Sequence, residues 1–228
     1  GVAAATVVSQ AVAFFAIIYY INHFHKFLDF RPRRMHFDKA IFKKSLKIGL
    51  PTGFQQTFVA LGFLALYRIV NMFGTPTIAA YSIAIRIDSF ASMPAMNFSA
   101  ALSTLVGQNI GANKMHRIAK GLNATLLMTT AIAVSISLIA LNFAEPLMAV
   151  FTKDAQVIDI GKHYLLIVPF FYIVFSIMFS INGVMRGAGD TFIPMIITII
   201  SLWIVRIPVS YWLSLKYGAI GIWWGIPV

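Results

Sequence analysis

The stretch Ile181–Pro194, INGVMRGAGDTFIP, places one arginine, one aspartate and three glycines between two long apolar runs. Gly187 and Gly189 supply the backbone freedom that a tight reversal of the chain needs. Asp190 and Thr191 precede the second apolar run and are expected to cap it, with the acid at the positive end of the helix dipole. The stretch therefore predicts a turn between two helices, with Arg186 as its basic residue, rather than a catalytic centre.

The apolar runs belong to a chain of 228 residues that is 59% hydrophobic and only 11% charged, whereas soluble domains carry roughly 25% charged residues. A helix needs about 20 apolar residues to cross a ~30 Å hydrocarbon layer. We therefore predict an all-α, multi-pass membrane protein with five full spans and two partial ones. The spans cover about 1–21, 48–73, 77–106, 122–143, 163–182, 192–215 and the residues that follow 218.

The net charge of +11 is sorted along the chain. Twelve of the eighteen basic residues fall in three alternate connections, around 22–47, around 114–120 and at Arg186, which the positive-inside rule places on the cytoplasmic side. The intervening connection 71–77 is uncharged, as expected of an outer loop. We expect the basic connections to contact anionic lipid head groups, and we predict no nucleic-acid partner.

Ionisable side chains inside an apolar span cost roughly 2.5–3.5 kcal/mol each at the bilayer centre, so each needs a partner, water or a function. Four occur within the predicted spans, namely Arg68, Arg86, Asp88 and Arg206. Residues two apart on a helix point to different faces, so Arg86 and Asp88 are not expected to pair with each other. Asp88 is the only carboxylate among them.

Two prolines precede neutral polar residues within the predicted spans. Pro51 precedes Gln55 and Gln56, and Pro94 precedes Asn97. A proline inside a helix leaves a carbonyl unpaired and kinks the helix, and transporters place binding sites at such breaks. The alternative is that these side chains join packed helices, each contributing about 0.6 kcal/mol.

Glycine pairs recur along the chain, and catalytic motifs are absent from it. The pairs lie four residues apart, at 49/53, 183/187 and 221/225, and predict close helix packing. The sequence has no cysteine, no HExxH, no GxSxG and no paired carboxylates on one span. We predict that the protein is not an enzyme and holds no metal.

An ordered set of motifs resembles the second half of a multidrug and toxic compound extrusion (MATE) transporter across nearly the whole chain. The set runs Gly49-Leu-Pro51, Ala79–Arg86, Val106–Ala112 with Arg117, Gly183–Thr191 with Pro194, Arg206-Ile-Pro208 and Gly221–Gly225. The resemblance implies twelve helices in two six-helix lobes. The present chain would cover the sixth to eleventh helices and the start of the twelfth, as a fragment of a longer protein.

The resemblance also assigns the parts of the chain. Residues 1–21 would be the last helix of the N-terminal lobe, 22–47 a basic cytoplasmic linker between the lobes, and 48–228 the C-terminal lobe with a truncated last helix. The protein would lie in the cytoplasmic membrane of a bacterium or archaeon, with the N-terminal lobe as its partner. It would export organic, often cationic compounds in exchange for H⁺ or Na⁺, without another cofactor.

One departure from the family pattern concerns the carboxylates. Some branches carry a glutamate in the seventh helix and an aspartate in the tenth, but residues 51–67 and 164–182 contain no acid here. Arg86 resembles instead the bacterial branch related to DNA-damage-inducible proteins. The resemblance to that branch implies that coupling depends on an acid in the other lobe.

We therefore hypothesise a secondary multidrug exporter that works by alternating access. Arg86 and Asp88 would be its electrostatic elements in this lobe, and the other predicted pathway residues are Gln55, Gln56, Asn97, Met93, Met96, Tyr172 and Phe175. The alternatives are a lipid-linked sugar flippase of the same superfamily and a membrane scaffold that transports nothing.

Overall fold

The computed structural model describes residues 1–24 and 37–227, which are helical and contain no β-strand. A 3₁₀ turn, Val168–Phe171, joins α6 to α7, and a π-helical segment, Ile200–Arg206, joins α8 to α9. The all-α prediction is confirmed. The helices are α1 Val2–Phe24, α2 Lys39–Asn71, α3 Thr75–Gly111, α4 Met115–Asn142, α5 Ala144–Ala149, α6 Ala155–Ile167, α7 Tyr172–Gly187, α8 Phe192–Ile199, α9 Ile207–Tyr217 and α10 Ala219–Gly225.

Five helical stretches among the described residues are long and apolar enough to cross a membrane. They are Ala3–Phe24, Lys39–Asn71, Met115–Asn142, Ala155–Gly187 and Phe192–Tyr217. Helix α3 has 37 residues and is the longest, but it lies outside this set because polar side chains, including Arg86 and Asp88, interrupt its apolar run. Each predicted span nevertheless coincides with an observed helix or helix pair.

The chain forms two compact units, Gly1–Lys44 and Ser45–Val228. The predicted linker 22–47 overlaps both units, and its residues 25–36, with Arg31, Arg33 and Arg34, lie outside the described residues. Its C-terminal part belongs to α2, whose first turn is capped by Asp38: the Ala40 and Ile41 amides donate to Asp38 Oδ1 at 2.7 and 3.1 Å. Residues 39–47 thus belong to the same helix as the following span.

Helices α3 and α7 approach each other closely because small residues line their crossing. Ser99 Oγ donates to the Phe179 carbonyl at 2.6 Å, and a Cβ added to Gly183 would lie 2.6 Å from the Ser99 carbonyl oxygen. A Cβ on Gly187 would collide with the Ser103 carbonyl oxygen. Absence of a side chain at these glycines lets the two backbones touch, as in membrane helix pairs generally.

The other predicted glycine pairs differ from one another. A Cβ on Gly221 would collide with the Leu213 carbonyl, and one on Gly225 with Ser210, so this pair closes α10 onto α9. Gly49 and Gly53 have no atom within 4 Å of an added Cβ among the described residues. The sequence pattern thus marks close packing at two of the three pairs.

Helix α2 packs along α8 and the π-helical segment. The Thr191 hydroxyl donates to the Ile48 carbonyl at 3.1 Å, and Trp203 Nε1 donates to the Phe58 carbonyl at 3.1 Å. Leu202 fills the space beside Gly62, where a Cβ would collide with it. The contact therefore extends along several turns of α2.

The turn predicted within Ile181–Pro194 is present, but its glycines have different roles from those predicted. Helix α7 continues to Gly187, beyond the predicted end at Asn182, so Gly187 is helical and its role is close packing rather than reversal. Gly189 alone adopts the left-handed conformation of the reversal, with φ +86°. Asp190 Oδ1 accepts from the Ile193 amide at 3.3 Å, as a residue near the start of α8 should.

The predicted proline kinks at Pro51 and Pro94 fall inside helices that stay α-helical on both sides, so the kinks stay predictions. The departures from α-helix lie elsewhere. Pro169 lies within the 3₁₀ turn, and Pro208 follows the π-helical segment. Because Pro208 has no amide hydrogen to donate, the carbonyl one turn before it must find another arrangement.

Substituting Gly183→Ala should destabilise the protein by about 1–3 kcal/mol, because the added methyl group has to push α3 away from α7. Thermal unfolding of the detergent-purified protein measures this. Gly111→Ala is the matched control, since an added Cβ there meets no atom within 4 Å. Equal melting temperatures for the two variants would contradict the close crossing.

Substituting Asp190→Ala should cost about 1 kcal/mol of stability, because the Ile193 amide loses its acceptor at the start of α8. Asp190→Asn keeps a capping oxygen and should retain most of the stability. We expect the expressed amount of the alanine variant to fall before the range of exported compounds changes. A changed substrate range at unchanged stability would assign Asp190 to the transport pathway instead.

Candidate functional site

Helix α3 presents an exposed stripe on one face. Arg86 and Asn97 are exposed, Phe90 is 66% exposed and Met93 is 61% exposed. Phe90, Met93 and Asn97 follow Arg86 by four, seven and eleven positions, which places all four on one side of the helix. Met96 flanks the stripe, so four of the predicted pathway residues share one open surface.

Asp88 lies on the opposite side of α3, half-buried, and points into the lobe. The hydroxyl of Tyr164 donates to Asp88 Oδ2, and the hydroxyl of Tyr172 donates to Asp88 Oδ1. Among the described residues, no hydrogen bond or ion pair joins Asp88 to Arg86. The expectation that the two charges would not pair is confirmed, and both carboxylate oxygens have a tyrosine partner.

The two tyrosines flank the break in the predicted fifth span. Tyr164 lies in the last turns of α6, Tyr172 begins α7, and the 3₁₀ turn with Pro169 separates them. Ser137 Oγ on α4 donates to the Pro169 carbonyl at 2.9 Å and so holds the turn. The carboxylate of Asp88 thereby connects α3 to both halves of the interrupted span.

An aromatic cluster surrounds this connection. The Trp223 ring stacks on Tyr81 at a centroid distance of 5.7 Å and meets Tyr164 edge to face at 5.1 Å. Tyr67 on α2 meets Tyr81 at 5.0 Å. Trp223, Tyr81 and Tyr164 are almost completely buried. The cluster thus surrounds Tyr164, one of the two donors to Asp88, with buried aromatic rings, and electrostatic interactions are stronger in such surroundings.

Arg206, at the end of the π-helical segment, lies within electrostatic range of Asp88, Tyr81 and Tyr164. Its buried Nε has no hydrogen-bond partner among the described residues, and the same holds for Trp223 Nε1. Buried polar groups are nearly always paired, and π-helical turns recur at functional sites. Arg206 therefore adds a positive charge to the surroundings of Asp88.

Gln55 belongs to a second hydrogen-bond network, at the end of the lobe near the turn at Gly189. Its Nε2 donates to Thr198 Oγ1 at 2.7 Å and to the Pro194 carbonyl at 3.2 Å. Its Oε1 accepts from Arg186 Nη2 at 3.0 Å. Gln55 is buried, so its amide links α2, α7 and α8, whereas the neighbouring Gln56 is exposed.

The predicted pathway residues differ in how exposed their side chains are. Arg86, Met93, Met96, Asn97 and Gln56 are exposed, Phe175 is half-buried, and Gln55 and Tyr172 are buried. Their role in a pathway stays a prediction.

Sequence reasoning identifies Asp88 and Tyr172 separately but misses Tyr164 and Trp223. Pro169, which interrupts the span between the two tyrosines, is a usable signal for the break. No sequence signal links Trp223 to Asp88, because 135 residues separate them.

Metal binding has no candidate within residues 1–24 and 37–227, because no group of three or more His, Asp or Glu side chains forms there. Two hollows in that part of the chain are open surface grooves, one beside Glu145 and Lys162 and one beside Tyr67 and Arg68. Neither is lined by Asp88 or Arg206.

Comparisons with known proteins agree with one another. The MatE family profile matches residues 51–212. The probable multidrug resistance protein NorM of Thermotoga maritima is 33% identical over 187 residues, which cover 81% of this chain and 40% of that protein. The probable multidrug resistance protein YpnP of Bacillus subtilis is 28% identical, over 99% of this chain and 50% of that protein.

Solved structures give the same fold. A MATE structure in the straight conformation superposes with a TM-score of 0.89 at 20% identity, over 99% of this chain and 51% of that one. An outward-facing multidrug resistance MATE transporter of the MOP superfamily gives 0.90 at the same identity, over 99% and 51%. The chain spans about half the length, or less, of these relatives.

The matched profile covers most of the chain, and the fold agrees with the predicted six-helix lobe. The family predicted from the motifs is therefore confirmed, while the assignment to a particular branch stays a prediction. The chain belongs to the MatE family of membrane transporters.

Proposed function

We propose that the protein containing this lobe is a secondary active exporter of organic, often cationic compounds, driven by antiport of H⁺ or Na⁺ across the cytoplasmic membrane of a bacterium or archaeon. The observation that carries this proposal is the division of α3 into two faces. Arg86 lies on an exposed face, and Asp88 lies on the face that packs into the lobe. One helix thus connects an open surface to a carboxylate inside the lobe.

The exposed face of α3 suits varied apolar and aromatic cations. Met93 and Met96 are flexible and polarisable, so they adapt to ligands of different shape. The ring of Phe90 is exposed beside them and offers a face for cation–π contact. The names of the relatives as probable multidrug resistance proteins support this substrate class.

Coupling requires that an ion changes the relative stability of two conformations. Asp88 supports such a role because its charge state affects contacts with two other helical segments, α6 and α7. Alternating access in related architectures is a rocking of one lobe against the other around a central site. In this proposal the N-terminal lobe of the same protein supplies the other wall of that site.

The test is transport by the full-length protein in membrane vesicles. Efflux of a fluorescent organic cation under an imposed H⁺ or Na⁺ gradient is expected. Flux of a lipid-linked sugar alone would instead indicate a flippase, and no flux of either compound would indicate a scaffold. Each of these two outcomes contradicts the proposal.

Arg86→Ala should lower gradient-driven efflux strongly at normal protein level, because the exposed stripe loses its fixed charge. Arg86→Lys keeps the charge and should retain part of the activity, although it loses the planar guanidinium. Arg117→Ala, an exposed arginine near the start of α4, is the control and should have no effect. Unchanged efflux by Arg86→Ala would remove this residue from the pathway.

A further inference from the structure

We propose that Asp88, held by Tyr164 and Tyr172, is a proton-carrying site within this lobe, so that the ion bound here is H⁺ and not Na⁺. The inference rests on the proposed function and selects between its two ions. It also places a coupling group in this lobe, although residues 51–67 and 164–182, where some branches of the family carry acids, contain none here.

The hydrogen-bonding groups around Asp88 disfavour Na⁺. A hard cation is held by several oxygen atoms with free lone pairs. Both oxygens of Asp88 already accept a tyrosine hydroxyl. Two unpaired buried groups, Nε of Arg206 and Nε1 of Trp223, whose ring packs on Tyr164, are N–H donors and offer no lone pair. The positive charge of Arg206, within electrostatic range, would also repel a metal cation.

A proton fits the same groups and changes how they are connected. An ionised carboxylate only accepts hydrogen bonds, whereas a protonated one must also donate. When a proton from water forms an O–H bond on one oxygen of Asp88, that O–H needs an acceptor, and the tyrosine hydroxyl beside it becomes this acceptor only if it stops donating. Release of the proton to water restores both bonds. Proton uptake thus weakens a connection between α3 and the α6–α7 span.

The charges of Asp88 and Arg206 also favour a rearrangement when Asp88 takes up a proton. With Asp88 ionised, its negative charge compensates Arg206 inside the lobe. With Asp88 neutral, Arg206 remains as an uncompensated charge inside the lobe, which is costly and favours a rearrangement that exposes or pairs it. The π-helical segment that ends at Arg206 is a place where α8 and α9 can adjust their register.

Few other ionisable groups face Asp88 in the described residues. Tyr164 and Tyr172 contact it, and Tyr81 lies in the adjoining aromatic cluster, with Tyr67 beyond it. Within the described part of the chain, Arg206 is the cationic side chain whose charge acts on Asp88. Arg86 is exposed on the opposite face of α3. A pH effect that involves these residues therefore reports on Asp88.

The test compares driving ions in vesicles that contain the full-length protein. Efflux of a fluorescent organic cation is measured under a pH gradient without Na⁺ and under a Na⁺ gradient at equal pH. The wild type is expected to respond to the pH gradient only. Asp88→Asn, which cannot change its charge, should lose this response, whereas Asp159→Asn, an exposed acid on α6, should keep it.

A second measurement does not depend on transport. Purified protein in weak buffer with a pH-sensitive dye should exchange protons with solution when the organic cation is added, and Asp88→Asn should lose at least part of this exchange. Tyr172→Phe removes one donor to Asp88 and should transport with a displaced pH profile. Tyr211→Phe, an exposed tyrosine on α9, should leave the profile unchanged.

The outcomes separate the inference from the proposed function. Efflux driven by Na⁺ alone, or wild-type proton exchange and pH response in Asp88→Asn, would overturn the proton site while leaving the exporter intact. Absence of efflux by the wild type under every gradient would overturn the exporter. If Asp88→Asn does not fold, an unchanged pH profile in Tyr172→Phe overturns the proton site, and a displaced one supports it.

Discussion

The cost of placing one carboxylate among apolar helices determines much of the arrangement of this lobe. Asp88 can stay inside only if donors reach both of its oxygens, and these come from Tyr164 and Tyr172. The two tyrosines lie on different helices of an interrupted span, so the break at Pro169 and the position of α3 depend on each other. The aromatic cluster of Tyr81 and Trp223 then closes around them.

The close approach of α3 and α7 lets one of these tyrosines reach Asp88. Ser99, Ser103, Gly183 and Gly187 carry little or no side chain, so the two backbones come into contact further along the crossing. Tyr172, at the start of α7, can then reach α3. Two different interactions thus stabilise the pair α3 and α7: close backbone packing at small residues, and the hydrogen bond from Tyr172 to Asp88.

Much of the fold is predictable from the sequence, because membrane spans follow from the length of apolar runs. The predicted span 192–215 coincides with α8–α9, and the reversal at Gly189 and the cap at Asp190 occur at the predicted positions. The predicted end of the span 163–182 is wrong, because α7 continues to Gly187, which the sequence assigned to the reversal and which serves close packing within the helix. A glycine in an apolar run has both uses, and only the neighbouring helix distinguishes them.

The candidate site is predictable only in part, for a physical reason. A charge inside an apolar run is costly on its own, so the sequence by itself identified Asp88, Arg86 and Arg206 as residues that need an explanation. It also determined the helical class, the family and the separate faces of Arg86 and Asp88, because all of these depend on local spacing or order. The tertiary structure decided that Tyr164 and Tyr172 hold Asp88 and that Gln55 joins Arg186, since those partners are 76, 84 and 131 residues apart. Such pairings depend on how helices pack, and no local pattern encodes them.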